Sequence, residues 1–156
     1  MLRKAQEKDI SRIAEILIFT KRQTYRPIFK NDHVSFNVMQ VISEAQRIKD
    51  SGEIDNMYVF DDGIVKAVLT IKENSDKIYI TDFYVDTFFQ GLGIGTEILN
   101  KIVGKYNNKE IHLNPLDKNT KAIKFYENYG FKYTGNKEEF LDSGFYMLDY
   151  FLPKKV

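Results

Sequence analysis

Three glycines within five residues, Gly91, Gly93 and Gly95, follow a strand-like run, Phe83-Tyr84-Val85, and open into a helix-forming segment. Glycine lets backbone N–H groups approach a ligand closely. The start of the following helix adds unpaired N–H groups and a partial positive charge. Gln90-Gly91-Leu92-Gly93-Ile94-Gly95-Thr96 is therefore a candidate anion cradle suited to phosphates, with a tight ligand-free strand-to-helix connection as the alternative. Two familiar phosphate loops fail on residues. A Walker loop needs Gly-Lys-Ser/Thr at the helix start, where this chain has Gly95-Thr96-Glu97 and a carboxylate that would repel phosphate. A dinucleotide loop needs G-x-G-x-x-G after a βαβ start, whereas the spacing here is G-x-G-x-G.

The remaining chemistry is narrow. The 156 residues include no cysteine, which excludes disulfides, thiolate ligands and a cysteine nucleophile. Two histidines, His33 and His112, argue against a metal centre built by the protein. A formal charge of +1 gives no electrostatic case for nucleic acid or an anionic membrane. No apolar run approaches the ~20 residues that cross a bilayer. Met1-Leu2-Arg3-Lys4-Ala5 leads into a polar segment without a signal-peptide core, so a cytoplasmic protein is expected. The length fits one domain, residues 1–156.

Several elements must position the loop. Residues 2–5 suit a short strand. Asp9 is placed to cap a helix with Ile10, Ile13, Ala14 and Leu17 on its apolar face, widened by Ile16 and Ile18. Residues 20–31 read as irregular because Pro27 disfavours helical conformation at Arg26. A second helix is predicted over 34–49, with Val34, Val38, Val41, Ile42 and Ala45 on one side. The period then changes. Residues 57–60 and 64–71 flank Asp61-Asp62-Gly63, a hairpin signal, and 77–85 add a third strand to an antiparallel meander. A helix over 94–106, a strand over 110–114 and a helix capped by Asn119 and closed by Gly130 follow. Strands begin at Phe131 and Phe145, separated by a polar loop over 135–144. Helices alternate with strands only partly, so the fold class is α/β: a mixed sheet with helices on both faces.

Two motifs now combine. Gln90-x-x-Gly93-x-Gly95 resembles the pyrophosphate-binding motif of the GNAT N-acetyltransferase superfamily, which binds acetyl-CoA. The segment from Asn119 through Ala122, Phe125-Tyr126 and Gly130-Phe131 resembles the superfamily's second signature. Arg3, Ala5 and Asp9 resemble its opening pattern, and Met147 lies in a run similar to its closing strand. The likeness covers nearly the whole chain. It implies a sheet that splays between Val85 and the region of Leu113-Asn114. Backbone groups of Phe83, Tyr84 and Val85 would then pair with the pantetheine arm of CoA, satisfying sheet groups otherwise orphaned. The N–H groups of Gln90, Gly91, Leu92, Gly93, Ile94, Gly95 and Thr96 would hold the pyrophosphate, with Asn119 on the pantetheine or adenine side.

The resemblance also implies roles. Tyr126 matches the tyrosine that protonates the departing CoA thiolate, as a phenol of pKa about 10 can do. A core tyrosine is the competing reading. The backbone N–H of Val85 would face the developing oxyanion. Some relatives that acetylate protein N-termini carry glutamate where this chain has Asn114, and asparagine cannot take a proton. His112 shares that strand face, and Asp82, Tyr79 and Tyr84 lie on the neighbouring strand, so a water relay held by several of these is the expected base. Arg22-Gln23-Thr24-Tyr25 resembles a subset of the family that includes enzymes acting on polyamines or peptides. Glu138, Glu139 and Asp142 are further candidates to attract a cationic amine. The expected activity is direct transfer of acetyl from acetyl-CoA to a primary amine, with no metal, no acyl-enzyme and dimers frequent among relatives. A CoA-binding regulatory module without turnover and a nucleotide-dependent enzyme are the alternatives.

Overall fold

The computed structural model describes residues 1–155. Along the chain run β1 (Leu2–Lys4), α1 (Ile10–Phe29), α2 (Val41–Ser51), β2 (Met57–Asp61), β3 (Val65–Glu73), β4 (Lys77–Val85), α3 (Ile94–Lys105), β5 (Glu110–Leu113), α4 (Thr120–Tyr129), β6 (Lys132–Glu139) and β7 (Tyr146–Leu152). The strands form an open 7-stranded sheet in the order β1-β2-β3-β4-β5-β7-β6, flanked by helices. β1–β2, β2–β3, β5–β7 and β6–β7 pair antiparallel, and β4–β5 is parallel. A parallel neighbour demands a crossover, and α3 supplies it. The β4–β5 register runs from Lys77↔Glu110 to Ile80↔Leu113 and stops there. Residues 81–85 carry β4 onward past the end of β5.

The chain gathers into two compact units, Met1–Ile71 with Asp82–Leu99 and Lys72–Thr81 with Asn100–Val156. In the first, Ile13, Ile16 and Leu17 of α1 pack with Ile48 of α2 and with Met57, Val59 and Val68 of β2 and β3. In the second, Ile78, Ile102, Ile111, Leu113, Phe131 and Tyr150 are buried.

Four local readings change. The segment read as irregular is helical: α1 continues through Pro27 to Phe29. A proline in the last turn removes a single intrahelical donor, and Lys30 ends the helix in a left-handed conformation (φ 50°), its N–H bonded to the Arg26 carbonyl at 2.9 Å. The second helix is interrupted. A π-type turn over His33–Val38 is separated from α2 by extended backbone at Met39 and Gln40. That break shifts the helical phase, so Val38 and Ile42 are exposed and α2 buries Ile48 instead. Asp9 stands at the start of α1 without capping it. Its carboxylate accepts from the Gln6 N–H at 2.8 Å and from two Arg3 nitrogens at 2.8 and 3.0 Å. Finally, much of the expected polar loop is strand, because β6 reaches Glu139. The β6–β7 register slips between Tyr133 and Lys137, where Gly135 has φ 91°. A bulge of this kind uses the same glycine and asparagine that signal a loop. Glu138 and Glu139 are therefore strand residues, and the Glu139 carboxylate accepts from the Gly144 N–H at 3.0 Å.

Candidate active site

β4 delivers the glycine loop, and a buried carboxylate fixes the joint. The Asp86 N–H donates to the Lys66 carbonyl at 2.8 Å. One Asp86 oxygen accepts from the Phe88 N–H at 2.9 Å, capping a short 3-10 turn over Thr87–Phe89. The other meets an Arg12 nitrogen at 2.7 Å, and Arg12 Nε donates to the Val65 carbonyl at 3.0 Å. Asp86 is 9% exposed, so each oxygen needs the partner it has. The Gln90 side chain then donates to the Val85 carbonyl at 3.0 Å, bracing the loop against the strand end.

Gly91 and Gly93 adopt φ 76° and 83°. A Cβ at either would meet nothing within 4 Å. Backbone angle demands glycine there, and the surface before the loop is open. The Gly93 carbonyl accepts the Glu97 N–H at 3.0 Å, the first bond of α3. Gly93 thus stands at the helix cap with no side chain to offer. By helix geometry the N–H groups of Ile94, Gly95 and Thr96 have no intrahelical acceptor. Open space, permissive backbone and a helix start fit a pyrophosphate. Gly95 itself lies within α3, and Leu92 is exposed at the loop tip.

β4 separates the candidate polar groups by face. Asp82 accepts from Thr70 Oγ1 at 2.9 Å, and the Tyr84 hydroxyl lies 3.1 Å from that of Tyr25 on α1. Strand alternation puts Tyr79, Phe83 and Val85 on the other side, and the Tyr79 ring lies 5.3 Å from His112. Arg22 acts in support, donating to the Ser35 and Met39 carbonyls at 2.8 Å each and so holding the π-type turn.

In the second unit, His112 is 5% exposed. Its Nδ1 lies 2.9 Å from Asp149 and its Nε2 3.1 Å from Glu110, with Phe151 stacked on the ring. Both ring nitrogens therefore face carboxylate oxygens within hydrogen-bond distance. Asn114 follows the end of β5, is exposed, and reaches the Leu148 carbonyl at 3.4 Å. The Asn119 side chain accepts from the Ala122 N–H at 3.3 Å and caps α4 as expected. Two bonds anchor α4: Tyr150 donates to Glu127 and Tyr129 to Asn100, each at 2.8 Å. Burial pushes the Tyr150 phenol up to about 12, with the Glu127 carboxylate adding to the effect, so it remains a donor. One residue before the first anchor, Tyr126 is 8% exposed, edge-on to Phe131 at 5.9 Å. Among the described residues no group of three or more potential metal ligands exists.

Arg12, Asp149 and the Tyr25–Tyr84 pair escape the sequence reading. For Asp149 a signal existed, a lone carboxylate in the apolar run Tyr146–Leu152. Arg12 carried none, since nothing local distinguishes a part-buried helix arginine from a surface one, and Tyr25 stood out only within Arg22-Gln23-Thr24-Tyr25, not as a partner of Tyr84.

An open mixed sheet carries a glycine loop between β4 and a helix start. Comparison with known proteins identifies the family. The sequence model of the acetyltransferase (GNAT) domain matches residues 23–152. The chain belongs to the GNAT acetyltransferase family. It is similar to a spermine/spermidine N(1)-acetyltransferase of Bacillus subtilis, 29% identical over 63 residues, or 38% of this chain. The chain spans only 41% of the length of that relative. Among solved structures, an N-acetyltransferase from Staphylococcus aureus Mu50 superposes with TM-score 0.77 at 15% identity, covering 97% of this chain and all of that one (100%). The PaiA N-acetyltransferase of Thermoplasma acidophilum, solved in complex with coenzyme A, gives TM-score 0.71 at 18% identity, covering 98% of each chain. These likenesses establish the fold.

Proposed function

We propose that this protein transfers the acetyl group of acetyl-CoA directly to a primary amine. The observation that carries the reading is the glycine loop itself, with its positive φ angles, open approach and a helix that starts from Gly93, in a chain of the GNAT family. The N–H groups of residues 90–96 hold the pyrophosphate. Backbone groups of Phe83, Tyr84 and Val85, on the part of β4 beyond the β5 register, pair with the pantetheine arm. The Val85 N–H faces the thioester oxygen as charge develops there. The Gln90 brace on the Val85 carbonyl keeps that strand end in place.

The amine nitrogen attacks the thioester carbon. The C–N bond forms, the C–S bond breaks, and Tyr126 gives its phenolic proton to the leaving thiolate. The attacking nitrogen loses its proton to water. A lysine-like amine of pKa about 10.4 costs on the order of 4 kcal/mol to deprotonate at neutral pH. With His112 held between carboxylates, water positioned near Asn114 is the acceptor that this reading retains. The relative's name indicates amines of the spermine and spermidine kind, which supports a small cationic acceptor. The test is thiol release from acetyl-CoA across an amine and peptide panel. Release that depends on an amine supports transfer. Acetyl-CoA binding without release on any amine would make the protein a binding module.

A further inference from the structure

The side chains of one polar cluster in the first unit are not used in the proposed transfer. It lies on the α1 face of β4, within two to four residues of Asp86. Lys21 and Tyr25 are one turn apart on α1, so both project to the same side. The Tyr25 and Tyr84 hydroxyls are 3.1 Å apart. Lys21 Nζ lies 3.9 Å from Asp82 Oδ1 and 5.7 Å from the centre of the Tyr84 ring. Asp82 Oδ2 accepts from Thr70 at 2.9 Å.

The two Asp82 oxygens are unequal. Oδ2 has a hydrogen bond. Oδ1 has only the ammonium at 3.9 Å, well beyond the ~2.7–2.9 Å of a charge-assisted bond. Among the described residues no group donates a hydrogen bond to it. The Asp82 side chain is 15% exposed, and no fully buried polar atom among the described residues lacks a partner, so Oδ1 is not fully buried. A part-buried carboxylate beside an aromatic face and two phenol oxygens is the set that selects an alkylammonium. Lys21 fills the role loosely. The Asp82 charge also reaches Tyr25, whose phenol is pushed up chiefly by burial and further by this carboxylate.

We propose that Asp82, Tyr84 and Tyr25 bind a non-reacting ammonium of the acceptor, and that the acceptor is therefore a diamine or polyamine. A carboxylate stabilises the protonated form of a neighbouring amine. That hinders the nitrogen that must attack and suits the one that must stay charged. Lys21 is the internal cation that the substrate's ammonium replaces at Asp82. The assignment rests on the acetyl-transfer reading for its use but not for its detection.

Calorimetry of spermidine binding to the full chain separates the outcomes, with thermal melts confirming that each variant folds. Asp82→Asn should weaken binding about tenfold or more, since a hydrogen bond to a charge is lost. Lys21→Met should tighten it, because the competing cation is gone. Both variants weakening binding alike would reduce the cluster to a structural ion pair and overturn the proposal, as would no change with Asp82→Asn. Tyr25→Phe, which keeps the ring, should weaken spermidine several-fold and stands in if Asp82→Asn does not fold; unchanged binding there counts against the cluster. In thiol-release assays, Asp82→Asn should raise KM for putrescine far more than for butylamine. Equal rises would contradict the assignment. A wild-type protein that releases no thiol with any amine would sink the acetyl-transfer reading alone, and calorimetry would still decide the ammonium site.

Discussion

Tyr126 carries one proton in this account, and its surroundings explain why it can be placed accurately. Its neighbours Glu127 and Tyr129 are tied to Tyr150 and Asn100, and its ring is held edge-on by Phe131. Tyr126→Phe keeps that packing and removes the proton. Steady-state kinetics should show kcat reduced by about 10²-fold or more, the range of a positioned acid, with acetyl-CoA affinity retained. Unchanged turnover would leave Tyr126 a core residue. The contrast with His112 is instructive. The same strand position that makes it visible as a candidate base buries it between Asp149 and Glu110. Its replacement by phenylalanine should leave the acid limb of the pH–rate profile in place, and a displacement of about one unit would identify it as the base after all.

At the scale of elements, the loop depends on what holds the end of β4. Arg12 spans from the Val65 carbonyl to the Asp86 carboxylate, so the start of α1 positions a turn some seventy residues later in the chain. Arg12→Ala leaves a nearly buried carboxylate with one partner fewer, at a cost of about 1–3 kcal/mol. It should raise the Kd for CoA more than it lowers kcat for bound substrate. Loss of stability with an unaltered Kd would show that the pair braces the fold and not the loop. Gly93→Ala forces an L side chain to φ 83°. With no crowding to relieve, the strain of about 1–2 kcal/mol should appear as a lower melting temperature and weaker CoA binding, and a melt unchanged from wild type would remove the backbone argument. The loop was legible in the sequence because its glycines, its flanking strand and its helix start are contiguous. Asn119 as a cap was legible for the same reason. Where the reading failed, a local signal had a second use. Pro27 is tolerated in a last turn, Gly135 makes a bulge, and Asp9 serves Arg3 instead of its own helix. The partners of His112 and Asp86 were hidden because strand register and helix packing, which bring them together, are set by contacts remote in sequence.

For the whole molecule, two consequences follow from charge and ligand linkage. Arg3 binds both Asp9 and Asp61, and the Arg3 hydrogen bonds hold both carboxyls below the usual carboxylate range. A depressed carboxyl contributes stability above its unfolded pKa of about 3.9, and that contribution is lost as pH falls through the folded value. Melting temperature should therefore drop below about pH 4, and Asp9→Asn should flatten that acid limb. A limb as steep as wild type would place the acid sensitivity elsewhere. Ligand linkage acts in the opposite direction. Acetyl-CoA at about a hundred times its Kd adds roughly 2.7 kcal/mol to a protein that binds it only when folded.

Thiol release from acetyl-CoA, followed with the wild-type chain against spermidine, putrescine, butylamine and an N-terminal peptide, addresses the reaction itself. Amine-dependent release, fastest with the two polycations and lost in Tyr126→Phe, is the predicted result. Tight acetyl-CoA binding with no thiol released in the presence of any of the four amines would contradict acetyl transfer.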